Sequence, residues 1–140
     1  MLRSKDLLRK TLLANAALSG LAGLVLILAS EALAGLIGPG VSASLLVALG
    51  VADLGFALAL AAIARHRDPE TLPAAIVIGI NALWALVSVA VLAAFFDHLS
   101  SAGFWIIAAQ AAVVADLALL QGLGLRRRLQ DRAPAATSTA

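Results

Sequence analysis

Apolar residues run along most of this chain in four long blocks that short polar or glycine- and proline-containing segments separate. The blocks cover residues 7–29, 41–64, 72–96 and 102–125. A helix that crosses a bilayer needs roughly 20 mostly apolar residues, and each block is long enough. None of them alternates apolar and polar residues as a membrane β-barrel strand does. The pattern predicts an all-α fold, a bundle of four transmembrane helices, with residues 1–128 as a single domain.

The composition excludes several classes of protein. Hydrophobic residues make up 62% of the chain and charged residues 13%, whereas a soluble domain is about half apolar and about a quarter charged. So few charges cannot cover a water-facing surface. A soluble globular domain and an ordinary nucleic-acid-binding protein are therefore excluded, despite the net charge of +2. The absence of Cys also excludes disulfides, thiolate metal sites and cysteine nucleophiles.

The basic residues predict the orientation of the bundle. All ten Lys and Arg residues fall in segments 3–10, 65–67 and 126–132, which the four-helix pattern places on one side of the membrane. The loops on the other side carry only Glu31, Asp97 and His98 as charged or titratable residues. By the positive-inside rule, both termini are cytoplasmic. The basic surface would meet anionic lipid headgroups and bind no nucleic acid.

The two chain ends and one loop allow further predictions. The first block could be a secretory signal that ends at Ala32-Leu33-Ala34, but its length favours an uncleaved anchor. Residues 129–140 are mostly small and polar, and we expect a disordered cytoplasmic tail. Asp68-Pro69-Glu70 predicts the start of the third helix. An interfacial aromatic belt is expected around the outer loop, at Phe95, Phe96, Phe104 and Trp105.

The two halves of the chain also resemble each other in sequence. When residues 11–31 are set over 77–97, Asn15 falls on Asn81 and Glu31 falls on Asp97. Asp53 and Asp116 correspond in the second helix of each half. Two helical hairpins related by a pseudo-twofold axis along the membrane normal would explain this pattern.

Four polar residues lie near the middle of the predicted spans: Asp53, Asp116, Asn15 and Asn81. An Asp at the bilayer centre costs about 2.5–3.5 kcal/mol on insertion scales, so such residues are functional candidates. Helical phase allows all four to face the bundle interior. No Lys or Arg lies at that depth, so the acids must be protonated, share a proton or hold a cation. Structural pairing between helices, a proton or cation pathway, and a small-ligand pocket are all open.

Gln110 and Gln121 are candidates for a partner interface. They are eleven residues apart and thus nearly in phase on one face of the fourth helix, about 120–140° from Asp116. If Asp116 faces the bundle centre, this glutamine face meets a neighbouring helix or another copy of the protein. Trp84 lies mid-span, away from the aromatic belt, and either packs or stacks on a ligand.

The remaining motifs argue against enzymatic chemistry. His66 and His98 fall on opposite sides of the membrane, so they cannot ligate one metal ion or haem together. The glycines lie in apolar helices without the strand–loop–helix context of a phosphate-binding motif. We therefore predict no cofactor, no metal and no enzymatic activity.

Three stretches carry a resemblance to known proteins: LLANAALSGLAGLVLILASEALAGLIG, NALWALVSVAV and LLQGLGLRRR. They resemble short Ala/Leu-rich proteins of the bacterial inner membrane that have four spans and no established activity. The chain is also similar, more distantly, to four-span proteins of the DoxX type, although no residue of that type's quinone or redox chemistry maps onto it. Small multidrug transporters are similar in size but use a Glu in the first span, where this chain has Asn15. The resemblance implies a bacterial inner membrane location.

The sequence therefore leaves three functions open. The first is a small membrane protein that acts through helix association, as an accessory or self-associating scaffold subunit. The second is a proton- or cation-coupled transporter or channel that uses a buried pair formed by Asp53 and Asp116. The third is binding of a lipid- or quinone-like ligand within the bundle.

Overall fold

The structure, a computed structural model, describes residues 4–65 and 71–132. Four long helices form the bundle: α1 (Ser4–Leu28), α3 (Ala43–Arg65), α4 (Thr71–Ala94) and α5 (Ser101–Arg132). A short helix, α2 (Ser30–Ile37), follows α1, and a 3-10 turn at Phe96–His98 precedes α5. The four long helices each carry an apolar stretch long enough to cross a bilayer. The prediction of a four-helix membrane bundle is confirmed, and the chain is a multi-pass integral membrane protein.

The boundaries differ from the predicted ones mainly at two places. α2 occupies the first loop, where the backbone bends at Ala29 and at once resumes helical hydrogen bonds. α5 continues to Arg132, so the prediction of a disordered tail from residue 129 is wrong for its first four residues. Residues 133–140, and the predicted helix start at Asp68-Pro69-Glu70 with His66, lie outside the described residues.

Serine side chains cap the N-termini of two of the helices. The Leu45 amide donates to Ser42 Oγ at 3.1 Å, and the Gly103 amide donates to Ser100 Oγ at 2.9 Å. Each hydroxyl therefore satisfies an amide that has no partner within the first turn of its helix. These caps fix where α3 and α5 start.

The helices pack in an open ring. α1 packs along α3, α5 packs along α4, and α1 also packs against α5, whereas α3 and α4 contact each other only sparsely. A pseudo-twofold relation would make the α1–α5 and α3–α4 interfaces alike. Because these interfaces differ so strongly, the packing does not support the twofold axis, and the duplication stays a prediction.

Glycines allow the closest helix contacts. A Cβ added to Gly23 would lie 2.7 Å from the Gly50 carbonyl oxygen, so α1 and α3 cross with their backbones almost touching. α1 meets α5 where a Cβ on Gly124 would lie 3.3 Å from Leu8 Cα. Small residues at helix interfaces are typical of membrane proteins, where close approach drives association. Ser19, one turn before Gly23, lies near this crossing, whereas Ala48 and Ala52 on α3 are exposed.

The end of the bundle that carries Arg9, Arg65 and Arg126 is called the basic end here. Its core consists of six buried apolar residues from three helices: Leu8, Leu12, Leu60, Ala64, Ala74 and Val77. The Arg9 side chain ties α1 to the last turn of α3, because its Nε donates to the Ala64 carbonyl at 3.1 Å. This basic-end core brings α1, α3 and α4 together where α3 ends and α4 begins.

The opposite end is closed by contacts between the two loops. The Ser100 amide donates to the Ile37 carbonyl at 2.9 Å, and Ser100 Oγ donates to the Leu36 carbonyl. Gly38 ends α2 with φ +148°, a conformation that favours glycine. Around this point Phe95, Phe96 and Trp105 are exposed and Phe104 is half-buried; the aromatic belt stays a prediction.

Candidate functional site

A buried amide pair joins α4 to α5. Asn81 Nδ2 donates a hydrogen bond of 2.9 Å to Gln121 Oε1. The two side chains are 3% and 0% exposed, respectively. A polar side chain within a membrane bundle must find its partner inside the protein, because lipid tails offer none. The pair therefore helps to fix the register between α4 and α5.

Asn15 is the third buried amide, and it lies on α1. Its side chain is 1% exposed, and its Oδ1 accepts a hydrogen bond of 3.3 Å from Ser19 Oγ. Thr11, one turn before it, is also buried, and its hydroxyl donates to carbonyls of its own helix at Leu7 and Leu8.

The helix register places Asn15 at a depth similar to that of the amide pair. α1 and α5 run in opposite directions and meet at Leu8 and Gly124. From that contact, Gln121 lies about 4.5 Å and Asn15 about 10.5 Å toward the opposite end, at 1.5 Å per residue. The two levels differ by about 6 Å, a separation that the two side chains can partly span. Asn15, Asn81 and Gln121 are together called the amide cluster.

Two donor groups of the amide cluster have no partner. Asn15 Nδ2 and Gln121 Nε2 are both buried, and neither donates a hydrogen bond to any described residue. A buried donor without an acceptor costs about 1–3 kcal/mol. Each NH2 group carries two hydrogens to donate. The amide cluster therefore contains two buried NH2 groups that lack hydrogen-bond acceptors.

The buried inner faces of α3 and α4 continue beyond the basic-end core. Leu46, Gly50 and Ala57 are buried on α3, and Asn81 and Ser88 are buried on α4. Between these positions Asp53 and Trp84 are half-buried, as is Ser19 on α1.

The two acids occupy different environments. Asp53 is half-buried, on the face of α3 that carries Ala57 and Leu60. Asp116 is exposed on α5. The prediction that Asp116 is buried with Asp53, Asn15 and Asn81 is therefore wrong for Asp116. The buried Asp53/Asp116 pair on which the transport hypothesis depended is not formed.

Helical phase explains the position of Asp116. It precedes Gln121 by five residues, which corresponds to about 140° around the helix. Gln121 is fully buried, so Asp116 must point outward. The predicted angle between the glutamine face and Asp116 is retained, but the glutamine face is the inner one. Gln121 is consequently wrong as a partner-interface residue, while Gln110 is half-buried and its role stays a prediction.

The outward face of α5 combines the acid with small residues. Ala109 and Ala112 precede Asp116 by about two turns and one turn and are exposed, as it is. Large apolar residues continue the face toward the basic end, with Leu119 66% exposed and Leu123 48% exposed. The surface formed by Ala109, Ala112 and Asp116 is called the acidic face of α5.

Ser88 is buried on the same face of α4 as Asn81, seven residues away, and its Oγ donates to the Trp84 carbonyl at 2.9 Å. A buried charged residue, by contrast, escaped the interpretation of the sequence. Arg128 is 1% exposed, although the sequence places it in a run of three arginines that favours a solvated basic surface. Its spacing of seven from Gln121 would have placed both on one face, had the inner face of α5 been known.

A double-mutant cycle would measure the energy of the amide pair. We expect Asn81→Leu and Gln121→Leu each to destabilise the protein, and their coupling free energy to be about 0.6–2 kcal/mol, as for other hydrogen bonds between membrane helices. The unfolding free energy in mixed micelles with increasing SDS gives the four values. Ser88→Ala is the control, because its hydroxyl bonds within its own helix and its loss should be additive with Gln121→Leu. Additive effects of Asn81→Leu and Gln121→Leu would contradict the pairing.

Comparisons with protein-family models, with curated proteins and with solved structures find no match to this chain. The resemblance to four-span inner-membrane proteins and to the DoxX type therefore stays a prediction. What the protein does must be inferred from the chemistry of its own side chains.

Proposed function

We propose that this integral membrane protein is a self-associating scaffold, in which two copies pair through the acidic face of α5. The exposure of Asp116 at mid-span carries this proposal. An Asp that faces acyl chains costs about 2.5–3.5 kcal/mol on insertion scales. Covering it with a second protein surface removes that cost, so the bilayer itself favours association.

The small residues beside Asp116 support the same conclusion. Lipid tails are as apolar as leucine, so membrane helices associate through close packing and hydrogen bonds rather than through the hydrophobic effect. Ala109 and Ala112 leave room for a second helix to approach the acidic face of α5. α1, α2 and α4 all pack against α5, yet Ala109, Ala112 and Asp116 stay exposed.

A second copy suits this face because a protonated carboxyl group complements itself. It offers one donor and an acceptor, so two such groups can form a reciprocal pair without any cation. The strong bias of basic residues toward one end of the bundle favours a single orientation of every copy. Under a twofold axis along the membrane normal, Asp116 of both copies would then lie at the same depth.

Replacing Asp116 tests the proposal. We expect Asp116→Leu to weaken dimerisation about 5- to 30-fold, which corresponds to the 1–2 kcal/mol of a hydrogen bond between membrane helices. Asp116→Asn keeps a donor and an acceptor and should retain most of the association. The measurement is energy transfer between labelled copies in lipid vesicles across a range of protein-to-lipid ratios.

Asp53→Leu is the matched control, because it removes the other intramembrane acid from a helix away from the proposed interface. It should leave the dimerisation constant unchanged. Equal association of the wild type and Asp116→Leu would refute the interface. A wild type that stays monomeric in vesicles, but is crosslinked through α5 to a different protein in native membranes, would replace self-association by an accessory role.

A further inference from the structure

We propose that Arg9 and Arg65 form a binding site for the phosphate group of one anionic glycerophospholipid, on the lipid-facing side of the seam between α1 and α3. The site is independent of the self-association proposed for Asp116, which lies at mid-span on α5. Three observations support it: a guanidinium group held in place, a second cation beside it, and an exposed apolar surface that leads from both toward the bilayer centre.

The Arg9 guanidinium group is held between two helices, although the side chain is exposed. Its Nε donates a hydrogen bond of 3.1 Å to the Ala64 carbonyl, which belongs to the last turn of α3, where carbonyls have no partner within the helix. The two terminal NH2 groups of Arg9 carry four further hydrogens and bond to no residue that the structure describes. A phosphate group accepts two parallel hydrogen bonds from such a planar fork. Arg9 is therefore oriented to bind a phosphate.

Arg65 supplies a second cation next to this group. It follows Ala64 directly and is exposed at the end of α3, so one phosphate group lies within reach of both arginine side chains. Every acid whose side chain the structure describes lies at mid-span or at the opposite end: Glu31, Asp53, Asp97 and Asp116. No described acid thus neutralises Arg9 or Arg65. Their two charges attract a headgroup of net negative charge and repel the ammonium group of a zwitterionic one.

The depth of the two arginines matches that of lipid headgroups. α3 runs from Ala43 to Arg65, which is about 33 Å at 1.5 Å per residue. The hydrocarbon core of a bilayer is about 30 Å thick. Arg65, and with it the Arg9 guanidinium group, therefore lies at the boundary between acyl chains and headgroups.

The surface that leads from the arginines toward the bilayer centre is apolar. Leu13 lies one turn from Arg9 on α1 and is 43% exposed. Leu58 lies two turns from Arg65 on α3 and is 73% exposed. Leu12, by contrast, is buried in the basic-end core, so the two exposed leucines lie on the side of the α1–α3 seam that faces lipid. An acyl chain can follow this side while its phosphate group meets both arginines.

Titration of the protein with single lipids in detergent micelles tests the site, with native mass spectrometry to count the lipids bound. The probes are dioleoyl phosphatidylglycerol and dioleoyl phosphatidylcholine, which share the phosphate and the acyl chains and differ in net charge. We expect the first phosphatidylglycerol to bind about 5- to 25-fold more tightly than phosphatidylcholine, a factor of about five for each arginine. Arg65→Gln should lower the affinity for phosphatidylglycerol about fivefold, which corresponds to roughly 1 kcal/mol.

Arg126→Gln is the matched control, because it removes the same charge from another exposed arginine at the basic end. Residue 126 lies two positions beyond Gly124, about 160° around α5 from the contact of Gly124 with α1, so it faces away from the seam. Its affinity for phosphatidylglycerol should equal that of the wild type. Equal losses in Arg126→Gln and Arg65→Gln would overturn the proposal, because they would show attraction by net charge alone.

Arg9→Lys separates geometry from charge. Lysine keeps the charge but lacks the planar fork, so the affinity should fall toward that of Arg65→Gln, and an unchanged affinity would contradict the site. Arg65 bonds to no described residue, so the result for Arg65→Gln does not depend on the folding of the Arg9 variant. Equal binding of the two lipids by the wild type would overturn the proposal. Displacement of phosphatidylglycerol by an equal concentration of inorganic phosphate would identify a site for free phosphate and also overturn it.

Discussion

Gly50→Ala is expected to lower the free energy of unfolding by about 1–3 kcal/mol, the usual range for overpacking a close contact. The new Cβ would lie 2.6 Å from the Gly23 carbonyl oxygen and 2.8 Å from a side-chain carbon of Ile27. The oxygen belongs to the backbone of α1 and cannot rotate away. α1 and α3 must therefore separate along the interface that holds the first hairpin together.

Gly55→Ala is the matched control on the same helix. A Cβ at Gly55 would have no atom within 4 Å, and alanine is the better helix former by about 1 kcal/mol. This variant should be neutral or more stable than the wild type. Unfolding in mixed micelles, followed by circular dichroism, measures both variants. If Gly50→Ala were as stable as Gly55→Ala, α1 and α3 would not cross at Gly23 and Gly50.

Gly103→Ala is expected to have the second large effect, again about 1–3 kcal/mol of destabilisation. A Cβ at Gly103 would overlap the Ile37 carbonyl oxygen and lie 2.7 Å from Ile37 Cα. The clash would push α2 away from the start of α5 and break the bond from the Ser100 amide to the Ile37 carbonyl. The two loops at this end would then lose their connection.

Gly122→Ala serves as the control on α5, because nothing lies within 4 Å of a Cβ there. It should match or exceed the stability of the wild type, since it only improves helix propensity. Limited proteolysis adds a local readout: cleavage in the segment from Pro39 to Ser42 should accelerate in Gly103→Ala alone. Equal cleavage rates in both variants would show that Gly103 does not hold α2 in place.

The helices themselves could be predicted because a span needs only length and low polarity. Each predicted block overlaps one long helix, and the boundaries differ by at most three residues except at the end of α5. That end continues to Arg132 because the backbone hydrogen bonds of a helix do not require apolar side chains. α2 was not predicted, because its eight residues are too few to cross a bilayer and look like part of the loop between two spans.

The candidate site was predicted only in part. Asn15 and Asn81 are buried as expected, but the partner of Asn81 is Gln121 and not an acid. Helical phase set the angle between Gln121 and Asp116 but could not tell which of them faces inward. The assignment assumed that an intramembrane acid faces the bundle interior rather than acyl chains, and α5 has the reverse arrangement.

The sequence by itself determined the four spans, the accumulation of basic residues at one end and the short list of polar residues in the bilayer. The tertiary structure decided which faces meet: Gly23 on Gly50, Leu8 on Gly124, and Asn81 on Gln121. The reason is that acyl chains are as apolar as a protein core, so hydrophobicity marks a span without marking its inner face. That choice depends on close approach and on hydrogen bonds between helices, which exist only once the helices have packed.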